Sequence, residues 1–252
     1  MADIQSKLNG LFKDLNIYLN EKKLLSRFEL RLKIKELIGT NEFSEDELQH
    51  CETCYEYPLL QYIFLSATSG IPSSIYAPIL HEKLEYKQIL FYHSHTFKTS
   101  EDLLEQAYKE ACQLKLKYLQ TLVSKILLKA NYSVIETSLK RILATLEGVK
   151  LNCSLFCSLL ELTSKLSSLD LTPNDALIIP PGTNAAPFIQ FYQQFSNQIL
   201  LAEATVWLID PETETVSIFI GIPSKRLLGF FTKSQLARSI ERRWRPTITE
   251  DF

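Results

Sequence analysis

From Ser100 to about Lys129 the chain carries neither proline nor glycine. Leu104, Ala107, Ala111, Leu114, Tyr118, Val123, Ile126 and Leu127 form an apolar stripe at helical spacing along it. Glu101, Asp102 and Glu105 stand near its start, and Lys125 and Lys129 near its end, the order that suits a helix dipole. The stretch predicts one long amphipathic helix, capped near Thr99 and stopped at Asn131.

Shorter elements flank it. A first helix is expected from about Asp3 to Leu19, on Ile4, Leu8, Leu11, Leu15 and Tyr18. Glu21 to Ile38 fits a helix face and also alternates as a strand at Phe28, Leu30, Leu32 and Ile34; its Lys, Arg, Glu and Leu favour helix, ending at Gly39. Ser44-Glu45-Asp46-Glu47 reads as a capping box for a further helix carrying Cys51 and Cys54. Ile89 to Tyr92 is a candidate buried strand. Two helices are expected after the long one, Ser133 to Glu147 stopped by Gly148, and Cys153 to Leu166.

Beyond Leu166 the composition changes. The 59 residues from Leu166 to Ser224 hold no Lys or Arg and six acids, Asp170, Asp175, Glu203, Asp210, Glu212 and Glu214. Ala176 to Ile179 reads as a strand. Ala186 to Leu200 reads as a helix with Pro187 in its first turn. Ala204 to Ile209 and Thr215 to Ile222, joined by Asp210-Pro211-Glu212-Thr213, read as a β-hairpin. A short terminal helix is expected from Lys233 to Trp244, with Thr232 and Gln235 as a capping box. The fold class is thus mixed α/β (α+β), helix-dominated, with a C-terminal β-hairpin in a small sheet. The expected division is a helical N-terminal part over residues 1–150 and a C-terminal α+β part over 151–252, parting between Gly148 and Leu169. One continuous domain fits equally well.

Composition narrows the function. The seven glycines are spread singly, so no phosphate-cradling or dinucleotide-binding loop is present. A net charge of −2 excludes bulk attraction to polyanions, so such a role needs a local patch. An odd count of five cysteines, and an N-terminus with no long apolar run after its charges, suggest free thiols and a cytoplasmic protein. No apolar run reaches the roughly 20 residues that span a bilayer, so no membrane partner is expected. No nucleophile elbow or cysteine signature supports covalent catalysis.

Four places remain. His93 and His95, two apart at a strand end, point the same way and could share a metal; the competing reading is two surface histidines. His50-Cys51 and Cys54, with Cys153 and Cys157, have metal-ligand chemistry, but sit among apolar helix positions where cysteine packs as a small hydrophobe. Lys225 to Arg245 holds seven basic residues against Glu241. In it Arg238, Arg242, Arg243 and Arg245, with Trp244, form a candidate binding stripe for phosphates or for a protein. Finally, the helix from Ala186 sets Phe188, Phe191, Phe195 and Ile199 on one face and Gln190, Gln193, Gln194, Asn197 and Gln198 on the other. That uncharged polar face suits a covered surface, because burying an amide costs less than burying a charge; packing inside the domain is the expected cover.

The reading that follows is a non-catalytic regulatory or assembly protein acting through protein–protein contacts, with another protein or a second copy as partner and no cofactor or metal. The alternatives are a nucleic-acid-binding protein that holds DNA or RNA on the basic terminal helix, and a metal-dependent hydrolase at His93 and His95.

Overall fold

The computed structural model describes residues 2–40, 43–44, 46, 82–87, 89–93, 98–182, 184–211, 214–233, 238 and 240. The chain forms two compact units, Met1–Ala111 and Cys112–Phe252. Helices and strands are mixed throughout, and among the described residues no helix is long and apolar enough to cross a membrane.

The first unit opens with α1 (Ala2–Lys22), which buries Leu11, Leu15 and Leu19. Lys23 takes φ 65, a left-handed turn that breaks the helix. β1 (Leu24–Ser26) follows, then α2 (Arg27–Thr40), whose first turn is held by the Glu29 backbone N–H donating to Ser26 Oγ at 3.2 Å. Helix was expected across this whole segment. Phe28, Leu30, Leu32 and Ile34, which also alternate as a strand, all lie in α2, as the helix reading has it; the strand that forms, Leu24–Ser26, precedes them and was not expected. β1 lies antiparallel to β3 (Ile89–His93), which also pairs with β2 (Glu82–Tyr86), giving the order β1-β3-β2. Glu45 and Glu47 of the Ser44 capping box, and the Cys51–Cys54 pair, lie outside the described residues.

The long helix α3 (Glu101–Lys129) forms over the predicted span. Ser100 rather than Thr99 caps it, with Ser100 O accepting from Leu104 N at 3.1 Å. Asn131 stops it at φ 66. Its buried positions include Ala111, Leu116, Leu119, Val123 and Leu127. The boundary between the two units falls inside this helix.

The second unit is built on a seven-stranded sheet, larger than the small sheet expected, in the order β10-β9-β8-β7-β6-β5-β4. The predicted helix from Ser133 to Glu147 is instead β4 (Ser133–Ser138) and β5 (Arg141–Leu146). Ile142 and Ala144 are buried and alternate with more exposed neighbours, a period of two that overrides the helical spacing. Glu147 at φ 52 and Gly148 at φ 85 make the tight turn into β6 (Val149–Leu155), so Gly148 serves a hairpin rather than a helix end. The helix expected over Cys153 to Leu166 begins only at α4 (Leu159–Leu166). Ser158 caps it, accepting from Glu161 N at 3.2 Å. The expected division between Gly148 and Leu169 falls on β6 and α4, inside the second unit.

β6, β7 (Asp175–Ile179) and β8 (Thr205–Asp210) run parallel at the sheet's centre, and β9 (Thr215–Ile220) runs antiparallel to β8. The turn residues Glu212 and Thr213 lie outside the described set. α4 and α5 (Ala186–Leu201) cover one sheet face. The core there joins Leu159, Leu162 and Leu166 to Leu177, Ile179, Val206, Leu208 and Phe219. β10 (Thr232–Lys233) closes the edge as a two-residue parallel partner of β9.

Candidate docking surface

α5 is anchored through its aromatic face. Phe188, Phe191 and Tyr192 are buried, and their rings surround Phe219 of β9 at 5.7, 6.4 and 5.9 Å between centroids. Asn184 Oδ1 accepts from Ala186 N at 2.9 Å, and Pro187 occupies the first turn, so the helix start needs no charged residue. None of its sixteen residues is charged.

The other face of α5 is open. Gln190, Gln193, Gln194, Asn197 and Gln198 are all exposed. The expectation that internal packing covers them is therefore overturned. The apolar stripe settles which side meets the sheet, and each helix face then follows by geometry. Leu201, at the C-terminal end, is 74% exposed.

Beside α5 lies an apolar groove of about 410 Å³. Tyr192 and Ile220 are buried in its lining, Leu200 and Ile218 are half-buried there, and Ile222, Leu228, Thr232 and Arg238 stand exposed around it. Ile222 is 81% exposed, unusual for so large an apolar side chain. The path of the chain here depends on Gly221 at φ 81: a Cβ on it would stand 2.6 Å from the Ala204 carbonyl oxygen. No side chain fits between β9's exit and the start of β8. Phe231 then packs edge-on against the buried Trp207, ring centroids 4.8 Å apart, and carries the chain back to pair as β10.

Among the described residues Arg238 is the one charged side chain lining the groove. It is helical and exposed, and it makes no ion pair with a described residue. Its described lining therefore offers apolar contact over most of the wall and a cation, the chemistry of an apolar segment that carries a carboxylate.

The other predicted site residues are placed as follows. Arg242, Arg243, Trp244 and Arg245 lie outside the described residues, as do Gln235 of the second capping box and His95. His93 ends the central strand of the three-stranded sheet and is buried, 6% exposed, not a surface histidine. Cys153 is buried on β6 and Cys157 in the turn before α4. Among the described residues no three His, Cys, Asp or Glu side chains gather as metal ligands. Among the described ion pairs, Glu214 meets Lys125 at 3.9 Å, and Arg226 meets Glu147 at 3.4 Å.

Sequence reasoning missed the apolar lining of the groove. Its residues run from Tyr192 to Arg238 and meet only once β9, β10 and α5 are placed. The one available signal was Gly221 followed by Ile222, an apolar residue beside a strand-end glycine. Compared with known proteins, the chain matches no family model and no curated sequence.

Proposed function

We propose that this is a non-catalytic regulatory or assembly protein that works through protein–protein contacts, docking its partner on the outer face of α5 and the groove beside it. The observation that carries this reading is the exposed amide face of a helix without a single charge. A solvated face ordinarily carries Lys and Glu. Five amides offer a partner many hydrogen bonds, at a lower desolvation cost than ions would impose. The adjoining groove supplies the apolar contact that a stable interface needs at its centre. The partner that fits is a protein segment with apolar side chains and a carboxylate to meet Arg238.

The test compares wild type with two variants, Gln194→Glu/Gln198→Glu and Ile222→Glu. All three positions are exposed, so the folded state is expected to survive. Light scattering measures self-association, and a pull-down from native lysate measures other partners. Loss of association in both variants, with unchanged thermal unfolding, supports the reading. A strictly monomeric wild type that retains nothing counts against it. Fluorescence anisotropy with labelled DNA and RNA across a salt series separates the alternative. Salt-sensitive binding that Arg242→Glu/Arg243→Glu removes would transfer the function to nucleic-acid recognition.

A further inference from the structure

We propose that Cys112 and Cys157 form an oxidisable pair that closes into a disulfide within the second compact unit. Their sulfurs lie 2.7 Å apart although the residues are 45 positions apart in sequence. Both side chains are buried, at 8% and 4% exposure. The distance is inside the ordinary contact of two unbonded sulfur atoms, and roughly 0.7 Å beyond a disulfide bond. Closing the bond therefore requires a small local shift and no rearrangement of elements.

Each cysteine is positioned by structure that does not depend on the other. Cys112 sits on the buried face of α3. Cys157 sits in the turn between β6 and α4, where its backbone N–H donates to Glu161 Oε2 at 2.9 Å. Phe156 N, next to it, donates to Ile178 O at 2.9 Å and fixes that turn to β7. Cys153, the third described thiol, is equally buried but has no sulfur within hydrogen-bonding distance among the described residues. It is an internal control for specificity.

The oxidant this chemistry needs is a peroxide. One cysteine sulfur, giving up its proton as it reacts, attacks a peroxide oxygen and breaks the O–O bond. It becomes a sulfenic acid, and the released hydroxide leaves as water after taking a proton. The second sulfur gives up its proton and displaces the sulfenic hydroxyl as a second water. Two thiols and one hydrogen peroxide thus yield one disulfide and two waters; sulfur is oxidised and peroxide oxygen reduced. The bond encloses the C-terminal part of α3 and the whole β4–β5–β6 meander in one covalent loop.

The experiment treats the reduced full-length protein with hydrogen peroxide and blocks remaining thiols under denaturing conditions. It then measures intact mass and maps peptides without reduction. The expected result is a peptide joining Cys112 to Cys157, loss of the mass of two hydrogen atoms, and reversal by dithiothreitol. Cys153 is recovered as a thiol. Cys112→Ser and Cys157→Ala should each abolish the joined peptide. The wild-type map stands alone if either variant fails to fold. Recovery of Cys112 and Cys157 as thiols while other cysteines oxidise would overturn the proposal. So would their recovery as separate sulfinic acids, or in bonds to other cysteines.

Discussion

Glu161 shows how much one side chain can tie together. Its Oε1 accepts from Lys140 at 2.7 Å and Lys165 at 3.0 Å, and its Oε2 accepts from the Cys157 backbone N–H. Burial works to raise this carboxyl, and the two lysines and the backbone N–H outweigh it, holding it at about 2. A carboxyl depressed below its unfolded value of 4.5 adds stability that is complete above pH 4.5 and is lost as pH falls through about 2. Lys140 and Lys165 are about half exposed, so solvent screening limits the gain to roughly 1–2 kcal/mol. Glu161→Gln should cost that much at pH 7 and flatten the acid limb, as urea unfolding at several pH values would measure. The thiols act at the opposite end of the scale. Burial, then Asp175, pushes the Cys153 thiol up to about 12, and the hydrogen bond with Cys112, then burial, pushes Cys157 higher still. Both stay protonated in the fold. Stability is therefore complete below the ordinary thiol value of 9.0 and falls as pH rises beyond it, and Cys157 should resist alkylation at neutral pH until the protein unfolds. The spacing of Ser158 to Glu161 carried the capping signal in plain sight, but a helix read from Cys153 onward hid it.

At the scale of elements, legibility followed the length of the pattern. α3 and α5 were readable because each repeats its apolar stripe over several turns. β4, β5 and β6 were not, because strands of six or seven residues are too short to separate a period of two from helical spacing. The residues between them, Leu139-Lys140 and Glu147-Gly148, resemble helix interior and helix end as readily as turns. The Gln-rich face of α5 was visible in the sequence, whereas its exposure was not, since periodicity separates two faces without saying what covers each. The glycines allow the turns to be tested. A Cβ on Gly148 meets nothing within 4 Å, so Gly148→Ala should cost only the left-handed backbone, about 1 kcal/mol. Gly221→Ala brings the same backbone cost and a Cβ 2.6 Å from a main-chain oxygen, so it should cost about 3 kcal/mol or more. Urea midpoints of the two variants should differ in that order. Near-equal losses would mean that the chain at Gly221 gives way more easily than its packing implies.

At the scale of the whole molecule, the two compact units give the oxidisable pair a measurable reach. Cys112, Cys157 and the buried Trp207 all belong to the second unit, and the sequence of Met1–Ala111 holds no tryptophan. Trp207 is 1% exposed, so its emission should shift when the sheet opens. Tryptophan fluorescence therefore follows the unit that the disulfide would constrain and not the unit over Met1–Ala111. A bond between residues 45 apart removes loop-closure freedom from the unfolded chain, worth about 4 kcal/mol in the entropic account. For a unit of this size that corresponds to a rise of roughly 10 °C in the tryptophan-monitored Tm. Hydrogen exchange of α2 amides, in the first unit, should remain unchanged by oxidation. The bond restricts only the segment between its two ends, and that segment lies wholly in the second unit. An equal gain in protection across α2 would show that the units unfold as one, and the stabilisation would then belong to the whole chain rather than to the sheet beside the proposed docking surface.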